Sequence, residues 1–146
     1  MQTVRENIRK HGFFVQGVFP TKYEPGELFL YTIGFWQKWQ HPEIVIFGVP
    51  PEVAHQLLWN VWHHVEGGGR IQDGQQVPNI AEGYLAHFRS APTNHPRYSF
   101  GVARAYYGHS DFEVLQLVIP DEQGRWPWEP GYPEGLARSQ QALVEE

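Results

Sequence analysis

Apolar positions along the chain repeat every two residues in some stretches and about every 3.6 in others, and the change of period marks the elements. Phe13 to Phe19 and Phe29 to Phe35 are dense in aromatic and β-branched residues. The segment TKYEPGE between them carries a Pro-Gly turn signal, so a β-hairpin is predicted. Ile44 to Val49 is apolar without a break, as expected of a strand covered on both faces. Tyr84 to Phe88 and Phe112 to Ile119 predict two further strands. Val4 and Ile8, four apart among polar residues, predict a short amphipathic helix from Gln2 to Lys10, ended by Gly12. Pro50-Pro51-Glu52 opens a longer helix that Gly67-Gly68-Gly69 closes. On it Ala54, Leu57, Leu58, Val61 and Val65 form one apolar stripe, with Trp62 at its margin and His63 on the opposite face. Tyr98, Val102, Ala105 and Tyr106 recur at near-helical spacing and predict a helix between Pro96 and Tyr107. Trp36 to Glu43 and Arg70 to Ile80 read as polar loops, and Pro120 to Gly124 as a turn.

Strands joined here by turns and there by helices predict an α+β fold: one domain, a largely antiparallel sheet packed by one main helix and shorter helices. That domain takes residues 1–135 and leaves residues 136–146 as a tail that is at best a frayed helix. The length of 146 residues suits one core, and 41% hydrophobic with 15% aromatic residues supplies it.

Charge and cysteine count narrow the chemistry. The net charge of −5, with Lys and Arg scattered singly, gives no basic stripe for nucleic acid. No apolar run reaches the roughly 18–20 residues of a membrane span, and MQTVRENIRKHG lacks the apolar core of a signal peptide, so a cytoplasmic location is expected. Zero cysteines remove disulfides, thiolate nucleophiles and Cys-type zinc sites. The histidines lack metal-ligand spacing, and no cofactor or metal is expected. A His/carboxylate site would need folding to assemble His41, Glu43 and His109 or Asp111.

Several constellations carry candidate chemistry. In Tyr31-Thr32-Ile33-Gly34, Tyr31 and Thr32 point to opposite faces of a strand and serve either as packing or as polar handles in a pocket. His41-Pro42-Glu43 enters a buried strand. Its two polar side chains suit an acid–base pair or a tether for the loop. His109-Ser110-Asp111 is no triad, because sequence neighbours cannot adopt that geometry, while Gly108 and His109 suit a helix C-terminus. Gln116 is an amide inside an apolar strand and needs partners if buried. Trp126 and Trp128 straddle Pro127 in GRWPWEPGY. In an extended segment they point the same way, as a lid on the core or a platform for a sugar, base or cation, with Trp36 and Trp39 as a second wall.

The runs YTIGFW, HPEIVIFGVPPEVAHQLL, GGGRIQDGQQV and YYGHSDFEVLQLVIPDEQGRWPWEPGY resemble the bacterial DUF4262 family, a domain of unknown function, over about Lys10 to Tyr132. The resemblance implies a single domain and no particular activity. The expectation for function is a small-molecule or partner-binding domain. Its aromatic cleft would combine the Trp36–Glu43 loop, the end of the Tyr31–Gly34 strand and the Trp126–Trp128 segment. The alternatives are a small hydrolase using His41 with Glu43, or His109 with Asp111, and a homodimeric interaction module.

Overall fold

The computed structural model describes residues 2–20, 28–94, 98–121 and 123–132. The elements run α1 (Gln2–His11), β1 (Phe14–Val18), β2 (Phe29–Ile33), α2 (Phe35–Trp39), β3 (Glu43–Phe47), α3 (Pro51–Glu66), β4 (Gln76–Ala81), β5 (Tyr84–Ala91), α4 (Gly101–Tyr107) and β6 (Val114–Val118). The strands form a six-stranded sheet in the order β1-β2-β3-β6-β5-β4. Every pairing is antiparallel except β3 with β6, which run parallel because α3, the β4–β5 hairpin and α4 separate them in the chain. The fold is thus the expected α+β domain with one main helix. The turn TKYEPGE and the tail 136–146 lie outside the described residues.

Two apolar layers sandwich the sheet. On one face the stripe of α3, Ala54, Leu57, Leu58, Val61 and Val65, packs on Leu30, Ile44, Ile46, Leu115 and Leu117. On the other, Val4 of α1 and Ala103 of α4 join Phe29, Tyr31, Ile33, Val45, Phe47, Phe100 and Phe112. Covered on both sides, β3 has no polar face to present, which is why its sequence does not alternate.

Four expectations are corrected. The stretch Trp36 to Gln40 is not a loop, since Phe35–Trp39 is a helical turn. No Ser, Thr, Asp or Asn precedes it to announce a start, and its capping group comes instead from Glu43, eight residues after Phe35. The polar stretch Arg70 to Ile80 ends in a strand, β4. Pro78 and the left-handed Asn79 (φ 69°) shift its register between Val77 and Ala81 and erase the period of two. An edge strand tolerates that proline. The helix α4 starts only at Gly101, because Tyr98 and Phe100 are drawn into an aromatic cluster with Phe29, Tyr31 and Phe47. Finally, GRWPWEPGY is not extended. It follows a turn held by Asp121, whose carboxylate accepts the backbone N–H groups of Gln123 and Arg125 and the Arg125 side chain, and it turns again where Glu129 N–H reaches the Trp126 carbonyl at 2.9 Å.

Candidate functional site

Polar side chains inside the two layers fall into two groups at opposite ends of the sheet. The first centres on Glu43, fully buried at the start of β3. Its carboxylate accepts hydrogen bonds from Thr32 Oγ1 (2.8 Å), the backbone N–H groups of Gly34 (3.1 Å), Phe35 (3.2 Å) and Trp36 (3.0 Å), and the Tyr107 hydroxyl (2.5 Å). Thr32 Oγ1 in turn accepts the Ile44 N–H at 2.9 Å. Burial pushes the Glu43 carboxyl up to about 6, against the pull of those donors. Burial, with the neighbouring Glu43, raises the Tyr107 hydroxyl well above its usual range. One carboxylate therefore ties β2, α2, β3 and α4 together, and no oxygen of it is turned to solvent.

His41 does not join that network. Its Nε2 accepts the Ile71 N–H at 3.0 Å, which places the proton on Nδ1, where it is donated to the Pro42 carbonyl at 2.8 Å. Desolvation holds this imidazole below its ordinary pKa, in the neutral form those two bonds require. The arrangement is a tether between the entry to β3 and the segment after α3. His41 and Glu43 share no hydrogen bond among the described residues, so the geometry of an acid–base pair is missing.

The other candidates are distributed as follows. Tyr31 is core: its ring packs edge-on against Phe100, its hydroxyl accepts the Ala103 N–H at 3.4 Å, and burial pushes its pKa up to about 12. Trp36 packs with the α4 layer and Trp39 with the α3 layer, so they form no common wall. Trp39 instead lies under Lys38 and Arg70, 5.1 and 5.8 Å from its ring centre. His109 and Asp111 are exposed beyond α4, where the Asp111 N–H meets His109 Nδ1 at 3.0 Å. No group of three His, Asp or Glu residues is placed to hold a metal ion among the described residues.

The second group lies at the far end of the sheet. Glu43 is level with Val114 at one end of β6, whereas Val118, at the other end, is paired with His87 of β5. Four residues of strand separate the two levels, about 13 Å, so the Trp126–Trp128 segment does not share a cleft with Glu43. The indoles of Trp126 and Trp128 stack on each other, 5.7 Å between centres and 8° between planes. Both rings meet His87, at 5.5 and 5.3 Å. His87 is only 9% exposed, and neither of its ring nitrogens has a hydrogen-bond partner among the described residues. Desolvation, followed by the nearby Arg89, lowers its pKa, and Asp73 opposes them. Trp128 above it is 43% exposed. Gln116, buried on β6 opposite Arg89, faces the same side as His87, two residue pairs away. Pairwise stacking thus replaces the flat platform expected of an extended segment, and the histidine beneath it was missed. The available signal was parity: Ala86 and Phe88 face the α3 layer, so His87 between them had to face the other side.

The chain belongs to the DUF4262 family, a domain of unknown function, whose family model matches residues 7–133. No curated protein and no solved structure matches it.

Proposed function

Within a family that carries no assigned activity, we propose that this member is a small-molecule-binding domain whose ligand stacks on Trp128 and meets His87 with a polar edge. The observation that carries the reading is the histidine. A buried imidazole whose nitrogens find no protein partner gives up about 1–3 kcal/mol for each polar atom left unmet, and such groups call for an explanation at a site. At His87 the cover is an aromatic pair whose outer ring stands 43% exposed. Aromatic faces with a few convergent polar groups are what small ligands use. Neutral imidazole offers one donor and one acceptor, which suits a ring-bearing, uncharged polar edge.

The test is a titration of the full chain with glucose and adenosine, read by the indole N–H signals of Trp126 and Trp128. Saturable shifts with one probe, lost in Trp128→Ala while the circular dichroism spectrum is kept, support the reading. If no probe moves either signal, or if Trp128→Ala unfolds the chain, the tryptophans are a lid on the core.

A further inference from the structure

The two edges of the sheet, β1 and β4, are finished differently. At β4 the edge is broken by Pro78 and by the register shift between Val77 and Ala81, devices that keep a further strand from adding there. The edge strand β1, FVQGV, has no proline, no charged residue and no shift in its register with β2. The ladder fixes which of its backbone groups face out. Gly48 N–H donates to the Leu28 carbonyl at 3.2 Å, so the even residues of β2 bond to β3 and the odd ones, Phe29, Tyr31 and Ile33, bond to β1. Their partners there are Val18, Gln16 and Phe14. Val15 and Gly17 therefore turn their N–H and C=O groups outward. Among the described residues these groups meet only the Gln16 side chain, whose Nε2 donates to the Gly17 carbonyl at 2.9 Å. On the α3 side of this edge lies an apolar recess of ≈ 380 Å³, lined among others by Val15, Gly17, Phe19, Pro51 and His55, with Glu52 as its one acidic side chain. Phe19 lies across Gly17, where a methyl group would meet its ring at 2.7 Å. That ring is 56% exposed, more than any other large apolar side chain among the described residues. Toward the start of β1 the edge closes: His11 meets Trp59, 6.1 Å between rings, and Phe13 is buried against Trp59 and Trp62. The open stretch is thus Val15 to Phe19, with Gly17 at its centre.

A strand centred on a residue whose N–H and C=O both face outward is its own complement in antiparallel pairing. We propose that the chain self-associates through β1, as a two-fold dimer in which the two edges pair antiparallel about Gly17 and join two six-stranded sheets into one. In that register Gly17 meets the partner's Gly17, and Phe19 meets the partner's Val15, an aromatic and β-branched pair on the α3 face. The glycines leave room over the axis for the two Phe19 rings. Glu52, which shares the recess with Phe19, comes to the start of the partner's β1, where α1 ends in Arg9, Lys10 and His11, so opposite charges face each other. The interface shares no residue with the Trp128–His87 patch, so either can fail alone.

The experiment is sedimentation of the full chain from micromolar to millimolar concentration, joined to an isotope-filtered NOE spectrum of a mixture of labelled and unlabelled chains. The mass should rise from monomer to dimer, and the filtered spectrum should connect the Val15 methyls of one copy to the Phe19 ring of the other. Within one chain those groups lie four strand residues apart, about 13 Å, too far for such a signal. Phe19→Lys, at an exposed position, should keep the circular dichroism spectrum and weaken the dimer by roughly tenfold or more. Leu85→Lys, at an exposed position on β5, should leave it intact. A chain that stays monomeric to millimolar concentration leaves the edge to another partner and overturns the proposal. A dimer that lacks the Val15–Phe19 signal, or that Phe19→Lys leaves unchanged, is built elsewhere and overturns it as well.

Discussion

The domain buries two histidines in neutral form and treats them in opposite ways. His41 has both nitrogens engaged, by the Ile71 N–H and the Pro42 carbonyl, and sits beside a glutamate whose oxygens are likewise all taken. His87 has neither nitrogen engaged by a described residue, and its cover is a stacked tryptophan pair whose outer member is largely open to water. Both rings are desolvated, and their different satisfaction is what sets the proposed site apart from the scaffold. A polar group kept in a core for architecture is bonded on every side, whereas one kept for a ligand holds bonding capacity back and lowers stability in doing so.

The largest effect belongs to the scaffold. Glu43→Ala strands the N–H groups of Phe35 and Trp36, the buried Thr32 hydroxyl and the half-buried Tyr107 hydroxyl. It should cost about 4 kcal/mol or more in urea denaturation and melt the α2 turn that Glu43 caps. Next, His41→Phe fills the space but leaves the Ile71 N–H and the Pro42 carbonyl without their partner, a loss of about 2 kcal/mol. If either variant unfolds at the wild-type midpoint, the division into scaffold and site is broken.

That division was only partly legible in the sequence. The sheet-forming runs and the α3 stripe were readable because burial on one or both faces writes itself as a period. The Pro-Glu step at the start of β3 marked Glu43, but no local motif could show that its carboxylate caps the preceding helical turn, since the chain must fold back from the next strand to bring it there. β4 was hidden by Pro78 and Asn79 at its bulge. GRWPWEPGY announced its aromatics by composition alone. The groups it covers depend on strand register, which pairs His87 with Val118 and no sequence motif encodes.

At the site the effects are smaller. Trp128→Ala should cost about 1 kcal/mol, because a ring 43% exposed has much of its surface in water already. A loss matching that of Glu43→Ala would make the pair part of the core. The pH dependence separates the same groups by sign. Both buried imidazoles are held below 6.5, so on acidification through 6.5 the unfolded chain takes up protons that the native state refuses, and stability falls. Glu43 acts in the other direction: with its carboxyl raised from 4.5 to about 6, the native state keeps a proton between those values that the unfolded chain has lost, and stability rises as pH drops through that window. Between pH 7.5 and 6 the histidines dominate. His87→Phe should flatten this part of a stability-versus-pH curve, and an unchanged slope would mean that His87 is not held neutral.

The most direct measurement is the unfolding free energy of His87→Phe beside His41→Phe at pH 7.5. Phenylalanine at 87 removes two unmet nitrogens and keeps the ring against Trp126 and Trp128, so the chain should gain about 2 kcal/mol or more, while the same change at 41 destabilises it. Equal destabilisation by both substitutions would contradict the reading of His87 as a group held back for a ligand.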